Sequence, residues 1–332
     1  MIIKKRRVAV RSQPNFQATV SVSDDDESGE KLRMNMGTCY FPKDIESNPE
    51  SLGQDAHFIC QERQTFGVAD GVGGWAKKGI DSGIFARELM SNCLTSLRSL
   101  KPGRAVNLKK ILLKAHSKTA AIGSSTACVV SLKGDRLCYA NVGDSGFMVF
   151  RGKRLVYRSP TQQNYFNCPF SLGNWVGEGK RPVSVFLGEF DVEQGDIVVA
   201  GSDGVFDNLF GSEIEEILQD SEGRPWPQDL AWTIATVASM NSTSEEYDSP
   251  FAIAAESEGI EHVGGKIDDI TVIVAVIELE QPRASQEQQQ QEEEEEEEVE
   301  VRETAVSFWR SEVLVVGVEG ELERKCEGIL EN

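Results

Sequence analysis

The sequence predicts an α+β fold in which antiparallel sheets are covered by helices. Apolar runs of strand length are joined by tight turns, as at 127–132 and 137–142 around Lys133-Gly134-Asp135. Other segments, such as 82–97, carry apolar residues at helical spacing. Because strands joined by two- or three-residue turns pair antiparallel, we expect the helices to pack on the outside of the sheets.

The remaining elements are predicted from the same two patterns in chain order. Ser212 is the predicted N-cap of a helix through Leu218, since Glu213, Glu215 and Glu216 favour its positive end. Trp75 is expected to be a packing anchor, and Trp226 and Trp232 are expected in the core. The other predicted strands are 56–60, 65–69, 146–150, 155–157, 183–190, 197–200 and 270–279, and the other predicted helices are 108–121 and 227–239.

Composition divides the chain into four segments. Residues 1–33 form a tail that begins basic and turns acidic at Asp24; it fits a nuclear-import patch or an organelle presequence, and a solvated arm explains it as well. The globular pattern occupies 34–280. A linker rich in glutamine and glutamate follows at 281–303, and 304–332 is a C-terminal extension of unknown role.

The charge and the cysteine usage exclude several classes of protein. The net charge is −20, so a nucleic-acid surface, which needs basic residues, is not expected. The seven cysteines form no Cys-x-x-Cys pair, which favours free thiols in a reducing compartment, and three histidines are too few for a histidine-rich metal site. No apolar run has the length of a membrane helix, and no secretory signal follows the basic N-terminus.

Four aspartates stand at the ends of separate apolar runs and predict a metal site. They are Asp70, Asp144, Asp203 and Asp268, each followed by glycine, serine or a second aspartate. If the strands lie side by side, the acids converge, and converging carboxylates repel one another unless cations lie between them. Oxygen ligands of this kind suit hard divalent ions. A single Asp-Gly is more often a turn, so the prediction depends on the repetition of the pattern.

Five motifs occur in a fixed order along the chain. They are Gly67-Val68-Ala69-Asp70-Gly71-Val72-Gly73-Gly74-Trp75, Gly123-Ser124-Ser125-Thr126-Ala127, Ala140-Asn141-Val142-Gly143-Asp144-Ser145, Gly201-Ser202-Asp203-Gly204-Val205-Phe206-Asp207-Asn208 and Asp268-Asp269-Ile270-Thr271. Together these motifs resemble the metal-dependent type 2C serine/threonine protein phosphatases. The variant with Asp-Gly-Val-Gly-Gly-Trp is similar to the branch found in plants and in animal mitochondria. The resemblance covers about residues 36–279.

The resemblance implies a fold, an activity and a cofactor. The fold would be a four-layer α-β-β-α sandwich, with two antiparallel sheets face to face and helices outside them. Residues 34–280 would be the catalytic domain of a protein-serine/threonine phosphatase, a phosphoric monoester hydrolase acting on phosphoserine and phosphothreonine. Two ions of Mg²⁺ or Mn²⁺ per chain would activate a hydroxide that attacks phosphorus in line.

The resemblance also assigns roles to the aspartates. Asp70 would bridge both ions, the carbonyl of Gly71 would bind one ion, and Asp203 and Asp268 would bind the other. Asp144, together with Asp203, matches positions that hold a weaker third ion in some relatives.

Asp55 has a separate implied role, since it would orient the metal-bound water. The predicted catalytic residues are therefore Asp55, Asp70, Asp203 and Asp268, and the predicted metal ligands are Asp70, Gly71, Asp144, Asp203 and Asp268.

Three departures from the family leave a second function open. Val72 stands where many relatives carry a proton-donating histidine, so a metal-bound water or His57 would have to supply that proton. Gln54 stands where relatives carry a glutamate ligand, and no arginine stands beside Asp55 to bind the substrate phosphate. The alternative function is a weak or inactive pseudophosphatase that acts as a binding module.

The expected partners are phosphorylated protein substrates, with neither nucleic acid nor a membrane span, and the chain is expected to be a monomer. The expected location is intracellular, in the cytoplasm or the nucleus, with a plastid or a mitochondrion as the alternative.

Overall fold

The computed structural model describes residues 31–43, 48, 50–177, 179–180, 184–221 and 226–280. The predicted linker 281–303, the extension 304–332, Val183 and most of the predicted tail lie outside the described residues.

The described elements follow one another in this order along the chain. The strands are β1 (Leu32–Phe41), β2 (Asp55–Cys60), β3 (Thr65–Asp70), β4 (Gly123–Ser125), β5 (Ala127–Lys133), β6 (Arg136–Val142), β7 (Gly146–Arg151), β8 (Arg154–Arg158), β9 (Gln163–Tyr165), β10 (Cys168–Pro169), β11 (Leu172–Trp175), β12 (Gly179–Lys180), β13 (Phe186–Asp191), β14 (Ile197–Gly201) and β15 (Ile270–Leu279). The helices are α1 (Ser82–Arg98), α2 (Leu108–Lys118), α3 (Asp203–Phe206), α4 (Gly211–Asp220), α5 (Pro227–Ser242) and α6 (Pro250–Ser257), and 3₁₀ turns lie at Gln61–Arg63 and Gly73–Lys78.

Two five-stranded antiparallel sheets make up most of the fold. The first sheet has the strand order β1-β15-β14-β7-β8. The second sheet has the order β13-β6-β5-β3-β2. Two smaller groups, β12-β11-β4 and β10-β9, lie beside them. The hairpins β5–β6 and β7–β8 confirm the pairing predicted from the short turns.

The two sheets pack face to face with helices on both outer faces, which confirms the four-layer sandwich. Phe66 of the second sheet and Val198 of the first sheet share the core between the sheets. Leu89 of α1 belongs to the core on the outer face of the second sheet, and Ile234 of α5 belongs to the core on the outer face of the first. Because β15 is covered on both faces, it reads as a continuous apolar run without alternation.

Helix α1 shows how local sequence sets the position of an outer layer. The carboxylate of Asp81 accepts a 2.8 Å hydrogen bond from the N–H of Gly83 and so caps the first turn. Phe85 and Leu89, one turn apart, are fully buried against the second sheet. The helix therefore begins directly beside the end of β3.

Several predicted helix ends were wrong. Helix α5 ends at Ser242, not at residue 239, and α4 ends at Asp220, not at Leu218. Two further ends have an identifiable cause. Helix α4 starts at Gly211, and Phe210, not Ser212, holds the N-cap position, because the carboxylate of Glu213 accepts a 2.7 Å bond from the Phe210 N–H. Helix α2 ends at Lys118, short of the predicted residue 121. The amides of Ala120 and Ala121 instead donate to the carboxylate of Glu88, at 2.9 and 2.8 Å.

Two tryptophans predicted in the core are exposed, Trp226 by 64% and Trp232 by 57%. Helix α5 buries Leu230 and Ile234. Trp232 lies two positions from each of them, so its side chain is on the opposite, exposed side of the helix. Trp75 is buried as predicted, and its indole N–H donates a 2.8 Å bond to the Ser124 hydroxyl.

Most predicted strands differ from the observed ones by one residue at one or both ends, and two larger differences concern β1 and β13. Strand β1, which the sequence analysis missed, begins at Leu32, two residues before the predicted start of the domain. Strand β13 begins at Phe186 rather than at residue 183. Within the described ranges, no helix is both long enough and apolar enough to cross a bilayer.

We expect Gly143→Ala to lower the free energy of unfolding by at least about 2 kcal/mol more than Gly134→Ala. Gly143, in the loop from β6 to β7, has φ +100°, and a Cβ there would lie 2.6 Å from the carbonyl oxygen of Phe170 and 2.7 Å from a methyl of Thr126. Gly134 also has a positive φ, +63°, but nothing lies within 4 Å of its Cβ. Urea unfolding of both variants measures the difference, and equal losses would contradict the close contact.

Candidate metal centre

The predicted aspartates converge at one end of the sandwich, where strands of both sheets stop. Asp70 is the last residue of β3, Asp144 lies in the loop from β6 to β7, Asp203 begins α3 after β14, and Asp268 precedes β15 by two residues. Asp70, Asp144 and Asp203 each offer one carboxylate oxygen, and these three oxygens lie within 4.8 Å of one another. The convergence predicted from sequence is therefore present for these three acids.

The register of β2 and β3 places Asp55 directly opposite Asp70. Opposed residues of an antiparallel pair lie on the same face, so the two carboxylates are neighbours. The Thr271 hydroxyl donates a 2.7 Å bond to Oδ2 of Asp55, which is 3% exposed. Burial, and then the charge of Asp269, raises the pKa of Asp55 well above its ordinary value. Burial, and then the charge of Asp203, does the same to the pKa of Asp70.

The end of β3 is fixed by hydroxyl groups and by a close backbone approach. The Asp70 N–H donates a 2.9 Å bond to the hydroxyl of Thr126, which lies 2.6 Å from the hydroxyl of Ser145. A Cβ at Gly71 would lie 2.7 Å from the carbonyl oxygen of Gln54. A side chain at position 71 would not fit, so Asp70 has to be followed by glycine. The carbonyl of Gly71 lies next to the acids.

Asp144 is held by the strand that follows its loop. Its Oδ2 accepts a 2.8 Å hydrogen bond from Nε2 of Gln163 in β9, and the residue is 6% exposed. Burial, followed by the charge of Asp203, raises the pKa of Asp144 to about 6. This carboxylate thus loses its proton far less readily than a solvated one.

One lysine links three of the acids. The ammonium of Lys266 lies 2.5 Å from Oδ2 of Asp203, 2.7 Å from Oδ2 of Asp207 and 3.1 Å from Oδ2 of Asp268. Burial alone would lower the pKa of Lys266, but the three carboxylates outweigh it and hold that pKa well above its usual range. Burial likewise raises the pKa of Asp207, to about 7, against the opposing effect of Lys266.

A second lysine lies on the other side of Asp268. The ammonium of Lys43 lies 3.0 Å from Oδ1 of Asp268, 3.0 Å from Oε1 of Gln54 and 3.4 Å from Oδ2 of Asp269. The carboxylate of Asp269 also accepts the backbone N–H groups of Lys43 and Gln54, each at 3.0 Å. Burial opposes ionisation of Asp268, but Lys266 and then Lys43 hold its pKa below the ordinary value.

The residues present fit hard divalent cations. Three buried carboxylate oxygens, Oδ1 of Asp55, Asp144 and Asp203, have no hydrogen-bond partner among the described residues. A buried carboxylate oxygen without a partner is costly, and a cation would satisfy it. The cluster offers oxygen donors, which suit Mg²⁺ or Mn²⁺.

The structure shows the surroundings of the residues that depart from the family pattern. The amide of Gln54 is engaged by Lys43 and donates a 3.2 Å bond to the hydroxyl of Ser82. His57 shares the face of Asp55 on β2, and burial lowers the pKa of His57. Arg87 of α1 reaches the carbonyl oxygen of Gly53 at 2.7 Å, next to the Gln54–Asp55 turn.

Sequence reasoning missed both lysines of the cluster. Lys266 stands two residues before Asp268, and that proximity was the available signal. Lys43 lies two residues after β1 and eleven residues before Gln54, and nothing in the sequence pattern connects it with the acids. The pairing of β1 with β15 brings it to this end of the sheet.

The chain is similar to known proteins over about three quarters of its length. No protein-family model matches it. The probable protein phosphatase 2C 80 of Arabidopsis thaliana is 43% identical over 252 residues, which make up 74% of this chain and 59% of that protein. The chain thus spans less than two thirds of that relative's length.

Two further comparisons cover most of the matching protein. The putative protein phosphatase 2C 23 of Oryza sativa subsp. japonica is 38% identical over 271 residues, 79% of this chain and 80% of that protein. The X-ray structure of the photosystem II phosphatase PBCP is 32% identical with a TM-score of 0.66, and the match covers 73% of this chain and 98% of that one. The chain belongs to the protein phosphatase 2C family.

Proposed function

We propose that the chain is a metal-dependent phosphatase that hydrolyses phosphoserine and phosphothreonine in proteins. The observation that carries the proposal is the convergence of Asp70, Asp144 and Asp203 within 4.8 Å, with Asp55 opposite Asp70. Unpartnered carboxylate oxygens and raised carboxyl pKa values favour a site completed by cations. Family membership supports the reaction class.

The proposed cofactor is a pair of Mg²⁺ or Mn²⁺ ions. Asp70 would contact both, the Gly71 carbonyl would contact one, and Asp203 and Asp268 would contact the other. Asp144 would contribute to a weaker third site, in keeping with its unpartnered Oδ1. Bound there, the ions would lower the pKa of a water molecule and screen the charge that develops on the phosphoryl oxygens.

The protein's own residues would orient the water and manage its proton. Asp55 is fixed through Oδ2 by Thr271, which leaves its Oδ1 to accept a hydrogen bond from water. Its raised pKa suits a carboxylate that receives a proton. Val72 has no proton to give to the leaving seryl or threonyl oxygen, and the lowered pKa of His57 favours water over that imidazole as the donor.

The proposed partners are phosphorylated proteins, and the names of the relatives support protein substrates. A monomeric state and a location in the cytoplasm or nucleus, or alternatively in a plastid or mitochondrion, stay predictions from the sequence.

A second candidate function is that of a binding module with little or no turnover. The observation that favours it is the engagement of the Gln54 amide by Lys43, where a glutamate would offer an anionic ligand. In that case the acids would bind ions weakly, and this end of the sandwich would hold a phosphoprotein without hydrolysing it.

We expect Asp70→Asn to lower kcat/KM for a phosphothreonine peptide in Mn²⁺ by at least about a hundredfold, because an amide cannot hold two cations as a carboxylate does. EDTA should abolish the activity of the unchanged protein. Asp135→Asn, in the exposed turn between β5 and β6, is the control and should retain full activity. Turnover that persists in EDTA would rule out the proposed mechanism.

Thr271→Val should lower kcat about tenfold with little change in KM, because it removes the hydroxyl that orients Asp55 while keeping the side-chain shape. Thr233→Val is the matched control, since the Thr233 hydroxyl bonds only to a backbone carbonyl on an exposed part of α5. Steady-state kinetics of both variants test this prediction. An unchanged kcat in Thr271→Val would contradict the proposal that the Thr271 hydroxyl orients Asp55 for catalysis.

Gln54→Glu should raise the affinity for Mn²⁺ about tenfold, because it adds a negative charge beside Asp268 and Asp70. Calorimetric titration of metal into EDTA-treated, dialysed protein measures this affinity. If the unchanged protein shows no turnover in saturating Mn²⁺ and Gln54→Glu does, the binding-module function is correct. Equal turnover of the two proteins would dismiss it.

A further inference from the structure

Lys266 contacts the same pair of carboxylates that the proposed centre assigns to one metal ion. Its ammonium lies 2.5 Å from Asp203 and 3.1 Å from Asp268, and Asp207 at 2.7 Å takes its third hydrogen bond. An ammonium has three N–H donors, so these three oxygens saturate it. The lysine is thus an internal cation inside the acid cluster.

The loop that carries Lys266 is firmly held. The backbone N–H of Lys266 donates a 2.8 Å hydrogen bond to Oδ1 of Asn208, and the backbone carbonyl of Lys266 accepts a 2.8 Å hydrogen bond from Nδ2 of Asn208. A Cβ at Gly265 would lie 2.0 Å from the carbonyl oxygen of Asn241, so the loop packs closely against α5. The ammonium also lies 5.1 Å from the ring centroid of Phe251, and the side chain is 15% exposed. A flexible surface lysine would show none of these contacts.

Both oxygens of Asp268 are already engaged by ammonium groups. Oδ1 accepts from Lys43 at 3.0 Å, and Oδ2 lies 3.1 Å from Lys266. A divalent ion bound to Asp268 would therefore lie close to an ammonium group, and repulsion between like charges favours movement of at least one of the two lysines away from it. Lys266 is the lysine expected to move, because it contacts Asp203 as well as Asp268, whereas Lys43 contacts Gln54, Asp268 and Asp269.

We propose that Lys266 competes with the metal ion held by Asp203 and Asp268, so that binding of the ion displaces its ammonium. The inference rests on the proposed metal centre. Two cations that share the same two carboxylates repel each other, and the lysine must give up charge-assisted hydrogen bonds before the ion can bind. Lys266 therefore positions the acids when the ion is absent and lowers the affinity for the ion.

The test uses Lys266→Met in the full chain, which keeps the length of the side chain and removes its charge. Calorimetric titration with Mn²⁺ should show at least about tenfold tighter binding than in the unchanged protein. In EDTA the same variant should unfold at a lower temperature, because Asp203, Asp207 and Asp268 then repel without a cation. A purely structural lysine would give lower stability without tighter binding.

Two control variants test whether the change in Mn²⁺ affinity comes from loss of the charge at position 266. Lys266→Arg keeps the charge and should bind Mn²⁺ within about threefold of the unchanged protein. Lys114→Met removes an exposed lysine of α2 and should change neither quantity. If Lys266→Met binds Mn²⁺ with unchanged or weaker affinity while the unchanged protein binds it, the competition is wrong and the metal centre stands. If the unchanged protein binds no Mn²⁺, the proposed function itself fails.

A second measurement does not require the variant to fold. Crystals of the unchanged protein grown in EDTA and in Mn²⁺ should differ at Lys266, whose ammonium should leave Asp203 or Asp268 when Mn²⁺ is bound. An ion bound by both carboxylates, with the ammonium still within hydrogen-bond distance of both, would overturn the proposal.

Discussion

Repulsion among closely spaced carboxylates is the constraint on which this end of the sandwich depends. Asp55, Asp70, Asp144 and Asp203 are gathered where water has little access, and burial raises the pKa of three of them above the ordinary range. Such a cluster persists only if the surrounding fold forces the acids together and positive charge offsets them. The sheets and hydroxyl groups provide the first condition, and Lys43, Lys266 and the proposed ions provide the second.

Strand pairing and hydrogen bonds between side chains and the backbone hold these acids in place. The β2–β3 register fixes Asp55 against Asp70, and the Thr126 hydroxyl joins the end of β3 to the Asp144–Ser145 loop. Asp269 binds the backbone of Lys43 and Gln54, which fastens the segment before β2 to the start of β15. A displacement of either sheet would therefore change the separation of the carboxylates directly.

The parts of the fold that follow from local spacing were predictable from the sequence. Short turns fixed the β5–β6 and β7–β8 hairpins, and the acids at strand ends predicted the cluster itself. Parts that depend on distant partners were not predictable. Glu88, remote in sequence, ends α2 by accepting the amides of Ala120 and Ala121, and Lys43 reaches the acids only through the β1–β15 pairing. Trp232 was misplaced because aromatic character outweighed its position on α5, two residues from the buried Leu230 and Ile234.

The pairing of β1 with β15 affects the order in which the two sheets can form during synthesis of the chain. The second sheet is built from residues 55–191, so its strands meet early as the chain leaves the ribosome. The first sheet is completed later, because β15, which pairs with both β1 and β14, is the last strand along the chain, and Leu32 has to pair with Leu279 across nearly the whole domain. Closing such a distant contact is slow, and until it forms, the inner face of the second sheet lacks the cover of β1 and β15. The acid cluster, which draws on both sheets, can therefore be complete only after this late pairing has formed.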